Sequence, residues 1–403
     1  MTKISMDTTI SPITINRTTL RIAVGSLFFM AGLAFASWTS RIVTIQHTMG
    51  LSYAALGAVL FSLPVGLMCS LPFSGWVITK IGSKKLLLGA ILVYGLALVS
   101  LGLAQNTFQL VVSLFCYGFA GNTINISVNT QAVAAESLYN KPIMASFHGL
   151  WSLGGFTGAG IGIFMIGRGI SPFHHFAAIL VILIIGVSIA SGYLYDDAGT
   201  VKNPSSSSIA FQKKISEFFQ KITRLFAPLV PLGTIAFCSM ICEGAMFDWS
   251  NIYLKKVILA PPSLVGVGFT AFMSTMASGR FIADKFAHRY GLKRTLQISG
   301  SLTTAGLLIA VFLPYFYTTI AGFLLVGVGV CSVVPMIYSA AGKSKNTSPG
   351  VAITIVSTIG FVGFLVGPPV IGFIASLATL RASFLLIALM GASVVALSTR
   401  AKL

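Results

Sequence analysis

Apolar runs of about 20 residues recur along the chain, at roughly 20–43, 53–79, 84–104, 108–136, 145–167, 174–195, 228–254, 263–287, 292–313, 317–341, 350–377 and 381–399. Each is long enough to cross the ~30 Å hydrocarbon layer of a bilayer as a helix. The pattern predicts an all-α polytopic membrane protein with twelve transmembrane helices. Composition supports it: 55% of the 403 residues are hydrophobic and 8% are charged, against about 25% charged in soluble domains.

The net charge of +18 would suggest nucleic acid in a soluble protein. No Lys/Arg patch here is interleaved with exposed aromatics in a soluble domain, so no nucleic-acid partner is expected. Cytoplasmic loops of membrane proteins collect Lys and Arg. With the N-terminus inside, 20 of the 26 Lys and Arg fall on the inner side and five on the outer. Both termini are therefore expected in the cytoplasm. Residues 1–19 are polar, with no small-residue cleavage site after the first run, and read as a cytoplasmic tail.

The longest polar gap, 196–227, divides the chain into a bundle at 20–195 and another at 228–403. It opens with linker composition around Pro204 and Ser205. It then places Phe211, Ile215, Phe218, Ile222 and Phe226 at helical spacing among Lys213, Lys214, Lys221 and Arg224. That reads as an amphipathic helix on the inner leaflet. The halves are related. Shifted by 211 residues, Trp38 meets Trp249 and Gly149 meets Gly360. A repeat across six-helix halves is the sign of a carrier with its substrate between two bundles at the membrane midplane.

Two acids stand inside one span, Glu243 and, five residues on, Asp248. Ionisable groups inside a membrane span face a bundle interior or a wet cavity and mark function by default. Glu243 reads as a proton-coupling site; for both acids the alternative is a structural hydrogen bond between helices. Gly118, Asn122, Asn125 and Asn129 share one helix face. Their amides suit a neutral polar solute, or serve as glue between helices. His148 could relay protons or pack as a neutral ring. Trp38, Trp151 and Trp249 could stack on a sugar-like ring, though Trp is common at membrane boundaries. The five cysteines, all in apolar spans, read as buried packing residues, and no metal or cofactor site stands out. No catalytic motif suggests an enzyme.

Gly75, Lys80, Gly82, Lys84 and Lys85 fit G-x-x-x-D-[RK]-x-G-x-[RK]-[RK], the signature between the second and third helices of the major facilitator superfamily. Thr79 replaces the signature Asp. The chain resembles that superfamily over nearly its whole length. Trp38 to Arg41, Ser146 to Gly154, Glu243 to Ala245 with Asp248 and Trp249, and Gly367-Pro368-Pro369 resemble its YbjJ-type bacterial inner-membrane branch, more distantly the fucose-permease-like sugar:proton symporters.

The resemblance implies two pseudo-symmetric six-helix bundles in the bacterial inner membrane. It implies secondary transport of a small solute, proton-coupled through Glu243; efflux of drugs or metabolites, a passive facilitator and a ligand-sensing receptor remain alternatives. The expected partners are the small-molecule substrate, the proton and the lipid bilayer, and the protein is expected to be a monomer. Lys80, Lys84, Lys85, Arg280, Asp284 and Arg289 are expected to form a cytoplasmic gate. Since the first and seventh helices of that superfamily meet at the outer mouth, Arg41 and Asp248 are expected to pair there as a periplasmic gate; the alternative is that Arg41 snorkels to headgroups.

Overall fold

The computed structural model describes residues 16–139, 143–196, 229–342 and 349–400. Among them every regular element is an α-helix. They are α1 (Arg17–Thr48), α2 (Tyr53–Leu60), α3 (Ser62–Leu103), α4 (Thr107–Glu136), α5 (Met144–Gly167), α6 (Pro172–Ser191), α7 (Val230–Lys256), α8 (Val267–Phe312), α9 (Phe316–Val330), α10 (Val333–Gly342), α11 (Pro349–Leu377) and α12 (Leu380–Arg400). Ten helical stretches are long and apolar enough to cross a membrane. Polar residues mark several starts. Asn16, Ser52, Asn106 and Ser171 precede α1, α2, α4 and α6, and each side chain accepts a bond from a first-turn backbone N–H. Those donors have no partner inside their own helix.

Two helices are too long for one crossing. α3 has 42 residues and α8 has 46, about 63 and 69 Å of rise. Each is bent at one glycine, Gly82 at φ 82°, ψ 163° and Gly291 at φ 76°, ψ 164°, a region open essentially to glycine alone. Contacts with α4 show that the chain reverses at Gly82. Before it, Leu63 meets Gly118, Ser70 meets Asn122 and Ser74 meets Thr123, so both numbers rise. After it, Ser83 meets Gln131, Tyr94 meets Tyr117 and Ser100 meets Ser113, so one rises as the other falls.

The same unit recurs around Gly291. Gly268 meets Phe323, Thr275 meets Leu324 and Gly279 meets Cys331 before the bend. Ser299 meets Ser332, Thr303 meets Gly329 and Gly306 meets Gly322 after it. α3 and α8 are thus each two antiparallel limbs. The expected twelve spans depend on counting those limbs separately. The run expected at 317–341 is also interrupted, between Val330 and Val333. Pro335 is the cause: it lacks an N–H and fits the first turn of a helix, so α10 restarts just before it.

Lipid offers no hydrophobic drive between helices, so close van der Waals approach does the holding. A Cβ at Gly32 would collide with the Trp151 carbonyl, and one at Gly154 with the Phe29 carbonyl, so α1 and α5 touch backbone to backbone. Gly363 lets α11 approach the Phe237 carbonyl on α7 in the same way. Cys238, Cys242 and Cys331 are buried as expected, but Cys69 and Cys116 are exposed. A thiol behaves as a small apolar group, so sequence alone does not separate the outer face of such a helix from its inner one. The linker 197–228, with its expected amphipathic helix, lies outside the described residues, as do residues 1–15, Lys141, Lys343 and Lys345.

The bends at Gly82 and Gly291 and the N-termini of α1 and α5 lie at one end of the bundle. Lys80, Lys84, Lys85, Arg289 and Lys293 gather there, and it is called the basic face below. The connections α1–α2, α5–α6 and α7–α8 lie at the opposite face.

Candidate functional site

Glu243 is the midpoint of the 27-residue α7, about 20 Å of rise from either end. It is 6% exposed. Arg280 reaches it from α8: Nη2 lies 3.2 Å from Glu243 Oε1. Nη1 of the same guanidinium donates to Ser152 Oγ on α5 at 2.8 Å, and the group sits 5.6 Å from the Trp151 ring centroid. Arg280 Nε is buried without a partner. One cation thus joins an acid of the second half to a hydroxyl and an aromatic face of the first. It is the only ion pair among the described residues.

Glu243, an acid inside a span, has a cation as its partner. Arg280 was read as part of a gate at the inner end of its span. It stands eleven residues before the Gly291 bend, well inside the membrane. A buried acid on the adjacent helix holds it there. The Asp284 side chain lies outside the described residues. Ser152 was not singled out by sequence; an Arg inside a span was the available signal, since such a charge needs partners.

One turn from Glu243 toward the opposite face, Phe247 centres a layer of rings between the halves. Phe35 meets it edge-on at 5.1 Å, Phe364 stacks on it at 6.2 Å, and Trp151 lies at 6.4 Å. Beyond this layer the halves close on one another. The Ala54 N–H donates to Ser376 Oγ at 2.9 Å, and Tyr53 packs on Trp249. A Cβ at Gly57 would stand 2.6 Å from the Pro368 carbonyl oxygen and 3.2 Å from Gly372 Cα. Toward the basic face, Asn125 is exposed and accepts from Asn129 Nδ2 at 2.9 Å.

The other expected site residues divide. Asn122 is buried, and its Nδ2 donates to Leu67 O at 3.2 Å and Ser70 Oγ at 2.7 Å. Its amide is spent tying α4 to α3, so its assignment to substrate is corrected to helix packing. Asn122→Leu is expected to cost about 1–3 kcal/mol of stability, since it removes two hydrogen bonds between α4 and α3. Asn125→Leu should leave the unfolding midpoint in detergent unchanged and act on transport alone. Trp38 and Trp249 are 1% and 0% exposed, so neither presents a free stacking face in this conformation. His148 packs edge-on to Phe28 at 5.3 Å, one turn from Ser152. Lys80, Lys84, Lys85 and Arg289 make no hydrogen bond or ion pair across the halves among the described residues.

Arg41 and Asp248 do not pair in this conformation. Arg41 is 2% exposed; its Nε donates to His175 Nδ1 at 3.1 Å and its Nη2 to Ile170 O at 2.8 Å. The reason is azimuth. Phe35 faces Phe247, and six residues at about 100° each turn Arg41 well away from α7.

Two half-bundles of helices, each carrying a bent long helix, enclose a charged centre inside the bilayer: this is a multi-pass membrane transporter. The Major Facilitator Superfamily model matches residues 22–260 and 256–401, and the chain belongs to that superfamily. It is 32% identical over 364 residues to an uncharacterised MFS-type transporter of Yersinia pestis, covering 90% of this chain and 91% of that one. It is also 32% identical to the membrane protein MosC of Rhizobium meliloti, covering 92% and 87%. The crystal structure of a variant of the nucleoside transporter NupG superposes with a TM-score of 0.74 at 15% identity, over 95% of this chain and all of that one.

Proposed function

We propose that the chain moves a small polar solute across the bacterial inner membrane by alternating access, coupled to the proton through Glu243. The carrying observation is the Glu243–Arg280–Ser152 bridge, because it joins the halves through a group whose charge a proton can cancel. With Glu243 ionised, Arg280 is shared between α7 and α5. With Glu243 protonated, the ion pair is lost and Arg280 is free to meet the solute or to let the halves part. Asn125, Asn129 and Trp151 line the solute's path, and His148 stands beside it. Both termini and the basic face lie in the cytoplasm, as the charge asymmetry favours. The closed seam at Gly57, Pro368 and Gly372 then seals the periplasmic side, and this conformation faces inward.

Glu243→Gln tests the coupling in proteoliposomes. It is expected to abolish gradient-driven accumulation and to leave counterflow exchange of solute within about threefold of wild type. Accumulation with an unchanged pH dependence would show that Glu243 is structural. Accumulation by the wild type that survives collapse of the proton gradient would favour the passive facilitator.

A further inference from the structure

Asp248 lies one residue past the centre of the ring layer and about 7.5 Å of helical rise from Glu243. It is half-buried, and no hydrogen bond or ion pair reaches its carboxylate among the described residues. The nearby cations are committed elsewhere. Arg41 is turned to His175 and Ile170, and Arg280 to Glu243 and Ser152. Lys255 and Lys256 follow two turns later, at the end of α7. The same stretch holds two buried donors without partners, Trp249 Nε1 and Asn251 Nδ2. In a chain with only eight acidic residues and a charge of +18, an acid left unpaired at this depth is conspicuous.

No protein group answers either charge state of Asp248 among the described residues. An ionised carboxylate inside a span needs a cation or several donors, and a protonated one needs an acceptor for its O–H. Such groups are placed for what they meet in another state or with a ligand. A protonated amine brings both a positive charge and N–H donors. The rings around Phe247 favour the same ligand, because aromatic faces attract cations.

We propose that Asp248 receives the ammonium group of the solute, which makes the transported class small amines. This rests on the transport reading above, but not on the coupling role of Glu243. The test uses matched probes that differ in one group: glucosamine and glucose, galactosamine and galactose, serinol and glycerol. Purified full-length protein is titrated at pH 7 by tryptophan fluorescence and thermal shift. The amine member of at least one pair is expected to bind tenfold or more tightly than its neutral partner. Asp248→Asn should erase that preference, Asp248→Glu should keep most of it, and Glu243→Gln should keep it while losing accumulation. Equal binding within all three pairs, or a preference that survives Asp248→Asn, overturns the proposal.

A measurement on the unmodified chain covers the case in which Asp248→Asn does not fold. A carbodiimide that modifies carboxyl groups is applied and Asp248 is read by mass spectrometry. The amine should slow modification at least fivefold, and its neutral partner should not. Protection by tetraphenylphosphonium alone would assign the site to lipophilic cations and overturn the small-amine class. If Glu243→Gln still accumulates solute while the amine preference depends on Asp248, the coupling reading fails and this one stands.

Discussion

Arg280→Met is expected to lower unfolding stability by about 3–5 kcal/mol, because it leaves a buried carboxylate without its cation. Glu243 is 6% exposed at the midpoint of α7, and Arg280 is its one charged partner. The same change also takes a donor from Ser152 and a cation from the face of Trp151. Combining it with Glu243→Gln removes both charges and should restore most of the stability, since a neutral pair of similar volume costs little where a lone charge costs much. Transport should stay absent in the double variant. Denaturant unfolding in detergent, read alongside uptake, separates the two effects. Equal stability of the single and double variants would mean that the ion pair contributes nothing to the fold.

Gly57→Leu is expected to shift the carrier away from the closed seam and to stop turnover. A single Cβ there already stands 2.6 Å from a backbone oxygen of Pro368. Backbone cannot yield as a flexible side chain can, so the halves must separate at that face. Gly57 packs on α11 of the other half, and each half therefore keeps its own packing. Spin labels at His47 and Leu259, which flank the α1–α2 and α7–α8 connections, should report a longer distance by several ångströms in the variant. An unchanged distance with normal uptake would show that this seam does not need to close as tightly as the structure draws it.

Much of this was legible before any coordinates. The apolar runs placed the helices, and the signature at Gly75 to Lys85 lay where the chain bends at Gly82. An acid inside a span drew attention to Glu243. Which side chains meet was another matter. Contacts depend on helix azimuth and on depth, and an error of one residue in register turns a side chain by about 100°. Arg41 and Asp248 have compatible depths by counting, but Arg41 points toward α6. Arg280 has an acid four residues along its own helix and a better one on α7, and spacing alone favours the first. Asn122 shares a helix face with Asn125, yet α3 covers one and not the other.

During synthesis the two glycine bends decide what the insertion machinery receives. α3 without its bend would be a rod of about 63 Å, more than twice the thickness of the hydrocarbon layer. Gly82 folds it into a hairpin whose tip carries Lys80, Lys84 and Lys85, and Gly291 does the same with Arg289, Lys293 and Arg294. Drawing one such cation to the centre of the membrane costs about 2.5–3.5 kcal/mol, so a tip with three resists crossing. Each limb pair then enters as one unit, the Gly82 hairpin before any helix of the second half exists. An alanine at either bend adds a single methyl group, yet strains the turn by about 1–3 kcal/mol. Its damage would show as lost yield in the membrane, ahead of any loss of rate in the molecules that do assemble.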